Sequence, residues 1–161
     1  MANFAIDVGH RRIICVEAYE KFVEINSYST LPSNQVVKVS SRSLKISLEC
    51  WKKFNDNLEL IKKAFTIFKD HPEEKTDFTL NLGKLLQVTA VSGIGCVHIR
   101  KYYFDTREEK VKPGRPGIAF KISEFSDFLE NIENINQITN LEEVETCCTS
   151  ETQKNCPTCS Y

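Results

Sequence analysis

The sequence predicts an α+β protein made of two tandem β4α units. Each unit is a curved antiparallel sheet followed by a helix, and the two pack together as an intrachain pseudo-dimer. Three observations predict this. First, the halves of the 161-residue chain align without a gap at an offset of 74, pairing Phe4 with Phe78, Gly9 with Gly83, Val23 with Val97, Ile25 with Ile99, Tyr28 with Tyr102, Lys38 with Lys112, Phe54 with Phe128 and Asn57 with Asn131. Second, each half contains four short segments of β-branched or alternating apolar character. Third, each half then carries an apolar stripe at spacings of three and four. One unit of about 65–70 residues is too small to bury both faces well, so two in tandem would share a core.

The elements follow in order. In the first unit (1–70) the strands read FAIDV, RIICVEA, KFVEINSY and SLKIS. Ser47 then stands as a helix N-cap, and Trp51, Phe54, Leu58, Ile61, Phe65 and Phe68 form one helix stripe. The polar stretch around Pro72 is the linker (71–77). In the second unit (78–140) the strands read FTLNL, LLQVTAV, CVHIRKYYF and GIAFKI. Ser92, Gly93 and Gly95 predict a tight turn between its second and third strands. Pro113, Gly114, Pro116 and Gly117 predict a turn before the fourth. Ser123 is the expected N-cap of a helix with Phe125, Phe128, Leu129, Ile132, Ile135 and Ile138 on one face. An acidic, Cys-rich tail (141–161) completes the chain.

Composition is that of an ordinary globular protein, with 41% hydrophobic and 27% charged residues. No apolar run approaches the roughly 18 residues of a membrane span, and no secretory signal is visible, so no membrane partner is expected. Net charge is −1, which by itself argues against a strongly basic nucleic-acid binder. That value averages unlike segments. Residues 78–122 hold eight basic and three acidic residues, and residues 123–161 hold one basic and eight acidic. Such block asymmetry predicts a basic working face backed by acidic surface.

The stretch VHIRKYYFDTREEKVKPGRPGIAFKISEFSDFL (97–129) carries the functional signal. Ile99-Arg100, Tyr102-Tyr103, Lys112-Pro113-Gly114-Arg115, Gly117-Ile118 and Phe125 together resemble the signature of the Positive Cofactor 4 family of transcriptional coactivators. The resemblance covers residues 78 to about 138. It implies single-stranded DNA binding, a role in transcription, contacts with transcription-machinery proteins and a nuclear location, without enzymatic activity or cofactor. The chain departs from the family in its short SGIG turn, in Lys101 where the family is acidic, and in Tyr103 where it usually has Trp. In the first unit Asn26 replaces the Arg, Ser29 the second aromatic, and Val39-Ser40-Ser41 the Pro-Gly-Arg.

Elementary chemistry points the same way. Basic side chains on an exposed sheet face track phosphates, while aromatic rings stack on unpaired bases. The candidate nucleic-acid-binding residues are Lys84, Arg100, Lys101, Tyr102, Tyr103, Lys110, Lys112 and Arg115, with Arg12 and Lys38 extending the face into the first unit. Strict alternation puts Arg100 and Tyr102 on one face and Tyr103 on the other; the resemblance favours Tyr103 as the stacking residue, which requires a twist or bulge. His98 is expected as an exposed strand residue. His10, His71 and His98 are scattered, and no P-loop, dinucleotide-binding glycine pattern or nucleophile elbow is present, so no catalytic site is expected. Cys15, Cys50 and Cys96 read as buried free thiols. In the tail, Cys147, Cys148, Cys156 and Cys159 offer thiolates of the kind zinc takes, but adjacent cysteines suit one tetrahedral site poorly, and no metal is assigned. The competing reading is a protein–protein interaction module of the transcription machinery that has lost most nucleic-acid contacts. The chain is expected as a monomeric pseudo-dimer or as a dimer of chains.

Overall fold

The computed structural model describes residues 2–71, 73–74, 77–139 and 141. Pro72 and the four tail cysteines lie outside the described residues. Among those described, the chain forms two four-stranded antiparallel sheets and four helices. The first sheet comprises β1 (Ala2–Asp7), β2 (Arg12–Ala18), β3 (Phe22–Thr30) and β4 (Val36–Ser47), followed by α1 (Leu48–Asp56) and α2 (Leu58–Asp70). The second comprises β5 (Phe78–Gly83), β6 (Leu86–Val91), β7 (Cys96–Asp105) and β8 (Lys110–Lys121), followed by α3 (Ile122–Glu130) and α4 (Ile132–Gln137). Each sheet is ordered as its strands run in sequence. No helix among the described residues is long and apolar enough to cross a membrane.

Period-two alternation fixes which face of each sheet is buried. In the first sheet Ile14, Val16, Val23, Ile25, Leu44 and Ile46 point into the core; in the second, Val88, Ala90, Val97, Ile99, Ile118 and Phe120 do. The helices cover these faces with a shared aromatic cluster. Trp51 stacks on Phe54 with centroids 5.3 Å apart, and both meet Phe128 edge-on at 6.3 Å. Phe65 packs on Phe125 at 5.0 Å, and Phe120 on Phe128 at 5.0 Å. The buried indole Nε1 of Trp51 donates to Asn136 Oδ1 at 3.1 Å.

Four expectations are corrected. Each apolar stripe spans two helices, because Asn57 and Asn131 leave helical geometry with φ near −100° and bond back instead. Their Nδ2 groups donate to Lys53 O and Asp127 O, both at 2.8 Å. Ser47 does cap α1, its Oγ accepting from Cys50 N, but Ser123 does not cap α3. There Lys121 is the flanking residue, and the Glu124 carboxylate takes its N–H at 2.8 Å. The KPGRPG stretch is not a turn; it lies within β8, and the chain reverses at 106–109. Prolines fit there because the pairing with β7 is irregular at that place. His98 is half-buried, with Nδ1 out of reach of solvent. By contrast, the turn at 92–95 is present, with Gly95 N donating to Val91 O and Gly95 at φ +67°. Cys50 is a buried free thiol, while Cys15 and Cys96 are half-buried.

Candidate nucleic-acid interface

The β7–β8 pairing supplies the geometry. Arg100 faces Gly117, yet Tyr102 faces Pro113, so Gly114, Arg115 and Pro116 bulge out opposite Lys101 alone. Only glycine fits at 114: a Cβ there would stand 2.7 Å from the Lys101 carbonyl oxygen. The bulge turns its carbonyls toward Arg100, whose Nη1 donates to Gly114 O at 2.9 Å and reaches Arg115 O at 3.5 Å. The Arg100 side chain lies across Gly117, where an added Cβ would come 3.1 Å from Cγ and Cζ. A long cationic side chain is thereby laid flat and oriented before any ligand arrives, with N–H groups to spare.

The irregularity also settles which tyrosine joins Arg100. Tyr103, half exposed, lines an open groove of about 960 Å³ with Arg100, Pro113, Gly114, Arg115, Pro116 and, from the first sheet, Ser43. Tyr102 is half-buried and does not line it. The groove therefore holds one oriented guanidinium, one exposed Arg and one accessible phenol ring.

The remaining candidates divide. Lys101 and Arg115 are exposed and have no carboxylate partner among the described residues. Lys112 pairs with Asp105 at 2.8 Å and with Glu108, and Lys110 with Glu108 at 3.2 Å. Those contacts hold both carboxyls below the usual carboxylate range and push the Lys112 ammonium up, the hydrogen bond to Asp105 being the chief cause for Lys112. Lys84 sits in the β5–β6 turn and pairs with Glu49 at 3.0 Å; it does not line the groove. Lys38 is exposed on β4 opposite Tyr28, also outside the groove.

Arg12 is corrected outright: it is buried, not part of a basic face. Its Nε donates to Ser27 Oγ at 2.8 Å, and its Nη1 to Ala119 O and Glu124 Oε1, each at 2.8 Å. Its guanidinium also stands 6.0 Å from the Phe120 ring. Burial, and then Arg100, lower the pKa of His98, two residues before Arg100 on the same face. Two residues escaped the sequence reading. Ser43 could be placed only by knowing that the first sheet borders the groove. Phe104, 47% exposed, was signalled by the run of three aromatics at 102–104, of which alternation must leave at least one in solvent.

No family model matches the sequence, and neither does any curated protein. One solved structure, "Crystal structures of trypanosoma bruciei MRP1/MRP2", is similar over 84% of each chain at 9% identity, with a TM-score of 0.31.

Proposed function

We propose that this protein binds single-stranded nucleic acid without catalysing a reaction, as the Positive Cofactor 4-like motif suggests, with DNA as the expected ligand and transcription in the nucleus as the setting. The observation that carries the reading is the bulge-held Arg100 lying in one open groove with Tyr103 and Arg115. A pre-oriented guanidinium suits a phosphate, and an accessible ring beside it suits an unpaired base. Lys101, which has no carboxylate partner among the described residues, adds a charge next to the bulge.

We further propose that the two sheet-and-helix units are tandem copies packed as an intrachain pseudo-dimer. Support comes from details that recur at the same offset. Gly9, His10 and Arg11 all have positive φ, as do Gly83, Lys84 and Leu85. Gly9 N and Gly83 N each donate 2.9 Å to the side chain two residues earlier, Asp7 and Asn81. Pairing irregularities fall at Asn26/Tyr28 and at Arg100/Tyr102.

Fluorescence anisotropy with labelled single-stranded and duplex oligonucleotides, over a salt series, tests the binding reading. Preference for the single strand, weakening steeply with salt and lost in Arg100→Ala/Tyr103→Ala, is expected. An affinity unchanged in that variant would refute the groove. A protein-docking role for the first unit has one observation in its favour: Arg12, one of the two cations expected to extend the basic face there, is buried against Glu124. A chain that binds no oligonucleotide at low salt would favour that second reading.

A further inference from the structure

The groove occupies one face of the β7–β8 ribbon and leaves the other unexplained. Register between β6 and β7 ends at Leu86 opposite Lys101, and the Tyr102 N–H to Leu85 O, at 2.7 Å, is the last bond to that neighbour. Beyond it, β7 residues 102–105 pair only with β8 residues 110–113, in the order Tyr102–Pro113, Tyr103–Lys112, Phe104–Val111, Asp105–Lys110. This part of the hairpin is a two-stranded ribbon with a free edge along β7. Successive residues point to opposite faces, so Phe104 and Val111 lie on the side away from Tyr103. They are directly opposite one another, 47% and 36% exposed. On this side of the ribbon an aromatic and a β-branched residue stand side by side in solvent.

We propose that Phe104, backed by Val111, is a second base-stacking surface, and that one strand of nucleic acid passes from the groove round the free edge of the ribbon to reach it. This rests on the groove being a nucleic-acid site. Three features select a nucleobase as the occupant. Phe104 follows Tyr103 directly but on the opposite face, so a strand that rounds the free edge of β7 meets one ring after the other. The cations that flank the ribbon, Lys101 before it and Arg107 at its turn, are exposed and have no carboxylate partner among the described residues, so phosphates on either side of a stacked base would find charge. Finally, the bare ring presents no hydrogen-bonding group, which suits the sequence-tolerant stacking of any base.

The test measures anisotropy with oligothymidylates of about four and about twelve nucleotides, the span of site sizes usual for single-strand binders. Wild type, Phe104→Ala, Phe104→Tyr and Arg100→Ala/Tyr103→Ala are compared, with circular dichroism and sedimentation on each. The short probe fills the groove alone, so Phe104→Ala should leave its affinity within about twofold while weakening the long probe about tenfold, the loss of one stacked base. Phe104→Tyr, which keeps the ring, should restore the long-probe affinity. The idea is overturned if Phe104→Ala changes neither affinity, if it weakens both equally, or if it alters only the sedimenting mass, which would make this face a contact with a second copy. If wild type binds neither probe, the groove reading itself has failed. Loss of both probes in Arg100→Ala/Tyr103→Ala with none in Phe104→Ala would sink the second surface alone.

Discussion

Arg12 and Arg100 are both arginines on strands, and their surroundings give them opposite uses. Arg12 is closed in by Ser27, Ala119 O and Glu124, with its side chain 11% exposed and that of Glu124 3% exposed. Removing one partner of a buried pair leaves the other charged and desolvated, at a cost of about 3–5 kcal/mol. Arg12→Ala should therefore lower the urea midpoint strongly. It should leave the salt dependence of any oligonucleotide binding unchanged, whereas a lost phosphate contact would reduce that slope by about one. Arg100 depends instead on a residue with no side chain. In Gly114→Ala the new methyl meets the Lys101 carbonyl, so the bulge must shift. A destabilisation of about 1–3 kcal/mol is expected, together with weaker oligonucleotide binding as the carbonyl that orients Arg100 moves. Stability unchanged by calorimetry would mean that the backbone at the bulge yields to the methyl without cost, and would remove Gly114 from the account. Neither role was legible in sequence. A charged residue opening a strand looks the same whether it meets water or a carboxylate 112 positions later.

At the level of elements, the β7–β8 ribbon carries its own charge balance. Lys112 is held between Asp105 and Glu108, so part of its charge is neutralised within the hairpin. The two carboxyls titrate below their ordinary range, so their contribution to ribbon order is complete above that range and fades as pH falls through the lowered values. Lys112 titrates above its ordinary range, so its contribution is complete below that range and fades as pH rises through the raised value. Asp105→Asn should therefore tighten single-strand binding severalfold at low salt and neutral pH. Acidification should tighten wild type more than the variant only once pH falls below the ordinary aspartate range, where the lowered Asp105 carboxyl takes up its proton, and an equal response in both would remove Asp105 from the account. Alternation and β-branching made the strands readable. The place of KPGRPG was not, since Pro and Gly mark turns and bulges alike. The helix breaks were hidden too, because Asn57 and Asn131 leave the three-and-four spacing of the apolar residues on either side intact.

Across the whole molecule, the two sheets meet helices drawn from both halves of the chain. Phe128 touches Trp51, Phe54, Phe120 and Phe125. Phe128→Ala should cost about 3–5 kcal/mol and lower one cooperative transition. Two separate calorimetric transitions in the wild type would mean the halves fold independently. The repeating pattern of apolar residues was visible at an offset of 74, and with it the order of sheet then helix in each half; the aromatic contacts that join the halves were not, because spacing within a helix does not say which partner it meets. The Arg12–Glu124 pair has a further consequence for how the chain is made. A ribosome adding about 5–20 residues per second needs roughly 5–25 s to travel from one partner to the other. During that interval the newborn first half holds Trp51, Phe54 and the Arg12 guanidinium without the residues that will cover them. Chaperone capture or aggregation of stalled nascent chains should accordingly be greatest for chains that stop short of Phe128.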